Sequence, residues 1–334
     1  MRRWRANPWV VFGALALAAL IPLGAWFLTP VPSAMLIRAL FHVNAEKTLA
    51  EMQPFAPTSG LTQTLNVEYG DAGTDTQFDV FTPSNASGPL PTVFWIHGGA
   101  WVSGSKENVR PYVQLLAQAG FTTVAVNYTV APEAKYPTAV NQLNAALSYL
   151  VAHASEFNID PAHIVIAGDS AGANLTSELA ALTTNPDYAK QVGVTPALQP
   201  NQLNAVILNC GIYDVSQIPN ATGIIGWGFN QALWAYVGER NYPSTPGGEE
   251  MSTLSSVTSE FPTTWISGGN ADGLTATQSV PMAAKLSELG VDVTTVFYPA
   301  DETPALGHEY QFHLTLDAAQ SALQSTIDFL HRVT

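Results

Sequence analysis

The stretch Ile164-Val165-Ile166-Ala167-Gly168-Asp169-Ser170-Ala171-Gly172-Ala173-Asn174 organises the reading of the whole chain. An apolar, mostly β-branched run ends in Gly168-Asp169-Ser170-Ala171-Gly172, and an alanine-rich, helix-prone segment follows at once. That is the strand–turn–helix setting of a G-x-S-x-G nucleophile elbow. The serine of such a turn has strained backbone dihedrals, and Gly168 and Gly172 keep side chains out of its way. The helix that starts there aims its first N–H groups at the reacting centre. The bare pattern also occurs in glycine-rich turns with a solvent serine; the flanking strand and helix give it meaning.

Outward from the elbow the chain alternates strands with helices. Before it, strands are expected at 61–69, 78–82, 92–96 and 121–127, with helices around 109–119 and from Pro137 to about 157. After it come strands at 205–210, 263–267 and 291–298, with helices at about 277–289 and 315–332. Such alternation implies a mostly parallel sheet, here of eight strands, covered by helices on both faces. Two short strands before any helix imply an antiparallel start. Residues 211–262 break the alternation. They hold Trp227, Phe229, Trp234, Tyr236 and Tyr242 with few charges, and read as a cap over an apolar pocket.

The chain has 334 residues, 47% of them hydrophobic and 11% charged, which supports one large domain. Its net charge is −14, and Arg2, Arg3 and Arg5 lie in the first five positions, so the body is more acidic still. Such a body repels nucleic acid. Cys210 is the single cysteine, which excludes an intrachain disulfide and a cysteine-based metal site. It ends an apolar strand-like run and is expected to be a buried thiol.

Residues 6–37 carry no charged side chain, and Pro8 to Leu28 is almost wholly apolar. A run of about 20 residues matches a bilayer core. Trp4, Trp9 and Trp26 lie near its ends, and the arginines precede it. The expectation is a transmembrane helix with the N-terminus cytoplasmic and residues 33–334 outside the cell membrane. A cleaved signal peptide ending near Val31-Pro32-Ser33-Ala34, giving a secreted protein, and a buried helix are the alternatives. Residues 33–53 read as a second helix, with Leu36, Leu40, Val43 and Leu49 near one face to be buried against the body, a bilayer or a partner.

A serine nucleophile needs a base within hydrogen-bond reach and an acid to orient it. Behind such an elbow the chain order is nucleophile, acid, base, and the groups sit at the carboxyl ends of strands. His308, in Gly307-His308-Glu309, follows the last strand and is the candidate base; His313 is its rival. Asp272, in Gly268-Gly269-Asn270-Ala271-Asp272, follows the seventh strand and is the candidate acid, with Asp301 and Asp214 as competitors. The oxyanion needs fixed N–H donors. Ala171 after the nucleophile supplies one, and the turn His97-Gly98-Gly99-Ala100-Trp101 is placed to supply others.

These motifs together resemble the hormone-sensitive-lipase-like (alpha/beta hydrolase-3) family of esterases and lipases. His97-Gly98-Gly99-Ala100-Trp101 is similar to its His-Gly-Gly-Gly motif, Gly168-Asp169-Ser170-Ala171-Gly172 matches its elbow, and Tyr128-Thr129-Val130-Ala131-Pro132-Glu133 resembles its Tyr-Arg-Leu-Ala-Pro-Glu block. The resemblance implies an alpha/beta hydrolase fold over roughly residues 60–331 and oxyanion donors at Gly99, Ala100 and Ala171, with Gly98 shaping the turn. It also implies a cap built from residues 33–57 and 211–262. Ala100 stands where the third glycine is usual, and Thr129 where arginine is usual. The expected activity is hydrolysis of a small carboxylic ester, with an apolar acyl group, by Ser170, Asp272 and His308, without metal or organic cofactor. His-Gly-Gly-x-Trp also resembles kynurenine formamidases, which leaves an arylformamidase-like amide hydrolase open. A non-catalytic hydrolase-fold binding module is the reading from a different class.

Overall fold

The computed structural model describes residues 26–334. Helix α1 (Val31–Met52) precedes β1 (Leu61–Glu68), β2 (Gln77–Pro83) and β3 (Leu90–Ile96). Strands and helices then alternate through α2 (Lys106–Gln118), β4 (Thr122–Val126), α3 (Thr138–Ala152), β5 (Ile159–Asp169), α4 (Ala171–Thr184) and α5 (Pro186–Val192) to β6 (Leu203–Asn209). The long connection that follows carries α6 (Gly223–Val237) and α7 (Pro246–Met251). The chain closes with β7 (Thr263–Gly268), α8 (Val280–Glu288), β8 (Val293–Phe297) and α9 (Asp317–Val333).

The strands form one sheet in the order β1-β2-β4-β3-β5-β6-β7-β8. β2 runs antiparallel to both of its neighbours, and every other adjacent pair is parallel. The central strands are apolar on both sides, as a doubly covered parallel sheet requires. Phe94, Ile96, Ile166, Val206 and Ile266 alternate onto one face, where α3, α4 and α8 pack. Val93, Trp95, Val165, Ile207 and Trp265 take the other face, against α2 and α9. The two-residue period thus makes two cores, and it brings the carboxyl ends of β3, β5, β6 and β7 to one edge.

The expected transmembrane helix is overturned: among the described residues no helix is long and apolar enough to cross a membrane. The first long helix, α1, holds Arg38, Glu46, Lys47 and Glu51, charges that a lipid-embedded segment does not tolerate. Most of the apolar run at Pro8–Leu28 lies outside the described residues. The membrane contact expected through that helix has no support in the structure.

The orientation of α1 also differs from its sequence pattern. Leu36, Leu40 and Val43 are 42%, 60% and 55% exposed, while Ala34, Ile37 and Met52 are buried. Apolar residues occur all round this helix, so periodicity does not select a face. Polar anchors do. Arg38 Nε donates to the Val102 carbonyl and Nη2 to the Ala131 carbonyl, both at 2.6 Å, and the guanidinium clasps Glu133. At the far end, His313 Nδ1 and Glu51 are 2.9 Å apart.

Candidate active site

Ser170 stands between β5 and α4 with φ 52° and ψ −118°, a conformation that L-residues rarely adopt. The tightness of the turn explains its glycines. A Cβ on Gly172 would lie 2.1 Å from the Ile96 carbonyl oxygen, and one on Gly168 would lie 2.5 Å from the Gly172 carbonyl group. The Ser170 N–H donates to the Asn209 carbonyl at 2.9 Å, tying the turn to the end of β6. At the start of α4 the first N–H groups have no intrahelical acceptor and form the positive end of the helix dipole.

His308 Nε2 is 2.9 Å from Ser170 Oγ, and His308 Nδ1 is 2.8 Å from Asp272 Oδ2. The other oxygen of Asp272 accepts the Leu274 N–H at 2.9 Å. An acceptor-only carboxylate at Nδ1 selects the tautomer whose Nε2 is free to take the serine proton. The competing residues stand elsewhere. His313 is occupied by Glu51, Asp214 caps the turn of helix 215–220 through the Ser216 N–H, and Asp301 is exposed.

Burial opposes the imidazolium of His308, the Asp272 carboxylate at Nδ1 opposes burial, and the balance holds His308 above the ordinary imidazole value. Burial also raises the Cys210 thiol, which is therefore neutral at neutral pH. Asp272 is then the charge that favours the imidazolium. Cys210 Sγ lies within 4.8 Å of donor atoms of Asp272 and His308. Both imidazole nitrogens are already hydrogen-bonded and the thiol is in its weakly ligating form, so the chemistry of this donor set suits a proton relay rather than a metal centre.

The turn after β3 is built to expose backbone. Gly99, Ala100 and Trp101 have φ of 111°, 51° and 59°. The Gly99 carbonyl accepts the Val102 and Ser103 N–H groups at 3.1 and 3.0 Å. Asp169 holds the turn from below: Oδ2 accepts the Gly98 N–H and Oδ1 the Trp95 indole N–H, each at 2.8 Å. His97 stacks on Tyr128 with centroids 4.5 Å apart, and its Nδ1 lies 2.8 Å from the Gly98 carbonyl. Burial pushes the His97 pKa down to about 4, so the ring is neutral and Nδ1–H donates. Ala100 and Ala171 are buried.

These elements border a cavity of about 200 Å³ that contains Gly98, Gly99, Ser170 and His308 in its wall. Phe41, Asn44, Ala45 and Thr48 of α1 form one side and Phe229 of α6 another. The spacing 41, 44, 45, 48 marks one helical face in the sequence; Leu36, Leu40 and Val43 lie on another face and are exposed. Two acidic residues were also missed. Asp169 occupies the unspecified position of the elbow motif, and Glu309 directly follows the candidate base; both line the cavity.

A family model described as BD-FAE matches residues 78–286. The chain is similar to the probable carboxylic ester hydrolase LipM of Mycobacterium tuberculosis (strain ATCC 25618 / H37Rv), with 35% identity over 159 residues, 47% of this chain and 36% of that protein. It is similar to kynurenine formamidase of Salmo salar, with 34% identity over 178 residues, 53% of this chain and 54% of that protein. The match thus spans about a third to a half of the length of these curated relatives. In three dimensions it resembles esterase B from Lactobacillus rhamnosis (HN001), with a TM-score of 0.77, 20% identity, and coverage of 91% of this chain and 96% of that one. That likeness supports the fold, an eight-stranded alpha/beta hydrolase sheet. With its elbow, its glycine turn and the matched family model, the chain belongs to the BD-FAE family, among the hormone-sensitive-lipase-like alpha/beta hydrolases.

Proposed function

We propose that the protein is a serine carboxylic ester hydrolase acting on small esters with short apolar acyl groups. The observation that carries this reading is the unbroken relay from Ser170 Oγ through His308 to Asp272, at 2.9 and 2.8 Å, beneath the glycine turn. Ser170 attacks the ester carbonyl while His308 Nε2 takes its proton. Asp272 orients the ring and stabilises its charged form. The oxyanion develops against main-chain N–H groups of Gly99, Ala100 and Ala171 and the dipole of α4. His308 then protonates the leaving alcohol and later activates the water that releases the acid from the acyl-enzyme. Helix α1 and the connection with α6 act as the cap.

The substrate class rests on the cavity. Its volume of about 200 Å³ falls below the roughly 300–1,000 Å³ of pockets for drug-sized ligands. Phe41, Ala45, Val109, Phe229 and Phe312 supply an apolar lining. The relatives named esterase or carboxylic ester hydrolase support the ester reading. The similarity to a kynurenine formamidase favours one second reading, cleavage of an aryl formamide by the same relay.

The test is hydrolysis of p-nitrophenyl acetate, butyrate and decanoate, and of N-formyl-kynurenine, by the protein and its Ser170→Ala variant. Ester turnover that disappears in the variant, with butyrate ahead of decanoate, is expected. Folded protein that turns over the formamide and no ester would replace the ester reading. Activity retained by Ser170→Ala would overturn the nucleophile.

A further inference from the structure

Fixed charge in the cavity wall is of one sign. Among the described residues the wall holds the carboxyl groups of Asp169 and Glu309 and no lysine or arginine. The two carboxyl groups are not equivalent. Both oxygens of Asp169 accept N–H groups, from Gly98 and Trp95, each at 2.8 Å, and the residue is 2% exposed. Asp169 is therefore committed to the turn. The Glu309 side chain is 32% exposed, and its ionic neighbour is His308, with Oε1 4.0 Å from Nε2. Glu309 is the carboxylate that a ligand in the cavity can meet.

The backbone fixes where Glu309 stands. Its φ of 58° is left-handed, which a long side chain rarely adopts, and such strain clusters at functional sites. Its carbonyl accepts the Phe312 N–H at 3.1 Å, which holds the strained turn closed. A Cβ placed on Gly98 would lie 2.8 Å from Glu309 Oε1, so the carboxylate abuts the oxyanion turn. In the proposed reaction His308 Nε2 is the atom that hands a proton to the leaving alcohol. An alcohol oxygen within hydrogen-bond reach of Nε2 brings the next atoms of the alcohol beside Oε1. Phe41, Phe229 and Phe312 line the same cavity. A carboxylate with aromatic rings around it attracts an organic cation through both charge and ring quadrupole, and repels an anion. The chain's net charge of −14 draws cations toward the molecule as a whole.

We propose that Glu309 is a specificity-determining residue that selects esters of amino alcohols, with its carboxylate and the neighbouring phenylalanines receiving the ammonium group of the alcohol. The inference rests on the ester-hydrolase reading above and adds the alcohol half of the substrate to the acyl half argued there. The relay itself is unchanged: His308 is neutral when it attacks, and the leaving alcohol departs with the proton that Nε2 took from Ser170.

The experiment compares butyrylcholine with neohexyl butyrate, its uncharged isostere in which carbon replaces nitrogen. Wild type, Glu309→Gln and Glu309→Lys are assayed, with circular dichroism as a check on folding. Wild-type kcat/KM for the choline ester is expected to exceed that for the isostere by about 10-fold, the combined effect of a partly exposed ion pair and aromatic faces. The ratio should shrink with added sodium chloride. Glu309→Gln is expected to lower the ratio by about threefold, and Glu309→Lys to lower it further. Glu260→Gln, which removes an exposed carboxylate away from the cavity, should keep the wild-type ratio. A wild-type ratio at or below one would overturn the proposal, as would a ratio unchanged in Glu309→Gln or lowered equally in Glu260→Gln. Choline alone supplies a readout without ester turnover: it should slow fluorophosphonate labelling of Ser170 in wild type and do so less in Glu309→Gln. Turnover of p-nitrophenyl butyrate without discrimination between the two butyrates refutes the role of Glu309 alone, whereas no turnover of any ester by folded protein removes the ester reading and this inference with it.

Discussion

Replacing Gly98 by alanine isolates the oxyanion turn from the relay. Gly98 has no left-handed backbone, so the substitution adds a methyl group without adding dihedral strain. That methyl carbon would lie 2.4 Å from Asp169 Oδ2, 2.8 Å from Glu309 Oε1 and 2.9 Å from the Asp169 carbonyl oxygen. The shortest contact is about 1 Å inside van der Waals separation. Asp169 cannot retreat, because Trp95 fixes its other oxygen and the side chain is 2% exposed. The turn must move instead, and the Gly98–Asp169 hydrogen bond breaks with it. A displacement of about 1 Å costs about 10²-fold, and loss of an oxyanion donor costs about 10²–10³-fold in kcat, or roughly 3–4 kcal/mol. The expected result on p-nitrophenyl butyrate is a kcat reduced by that factor with KM little changed. Ser170, His308 and Asp272 stay in place, so fluorophosphonate labelling is slowed rather than abolished. Gly88→Ala, at a site with nothing within 4 Å of the new methyl group, serves as control. A Gly98→Ala enzyme with kcat within about threefold of wild type would refute the assignment of this turn.

The remaining predictions concern charge. His308 must be neutral to act as base, and its pKa is held well above 6.5; kcat/KM is therefore expected to rise with pH through a midpoint above 6.5, and a midpoint at or below that value would contradict the role of Asp272 in holding the proton. Glu178, fully buried on α4 beside the Tyr136 and Tyr188 rings, has its carboxyl pushed well above 4.5 by burial. A raised acid keeps its full stability below the unfolded pKa and loses stability as pH rises beyond it. Glu178→Gln should accordingly match wild type in melting temperature near pH 4 and exceed it increasingly toward pH 8; a pH-independent difference would be inconsistent with this. Arg38→Ala removes the donors to the Val102 and Ala131 carbonyls and is expected to destabilise by about 1–3 kcal/mol in denaturant melts. It should also raise KM, because α1 forms part of the cavity wall, while Ser170 remains reactive; an unchanged KM would argue that α1 is not part of the binding site.

The sheet, its antiparallel start and the chain order of Ser170, Asp272 and His308 are legible in the sequence. These follow from short-range signals. The β-branched runs, the Gly-Asp-Ser-Ala-Gly turn and the loops after two strands each sit within about ten residues, and chain order limits which loop can reach which. Tertiary structure decided what joins residues far apart. Arg38 finds Glu133 across 95 positions and Asp272 finds His308 across 36; only the latter was anticipated, because the fold class fixes which strand ends meet. The face of α1 was set by Arg38 and Glu51 finding partners, not by the apolar period, since a helix with apolar residues on every side offers no preferred seam. The transmembrane expectation rested on local signals, an apolar run with flanking tryptophans and arginines, and among the described residues no helix is long and apolar enough to cross a membrane. Asp169 and Glu309 look ordinary in the chain, and only the return of the His308 loop against the elbow brings both to the cavity wall.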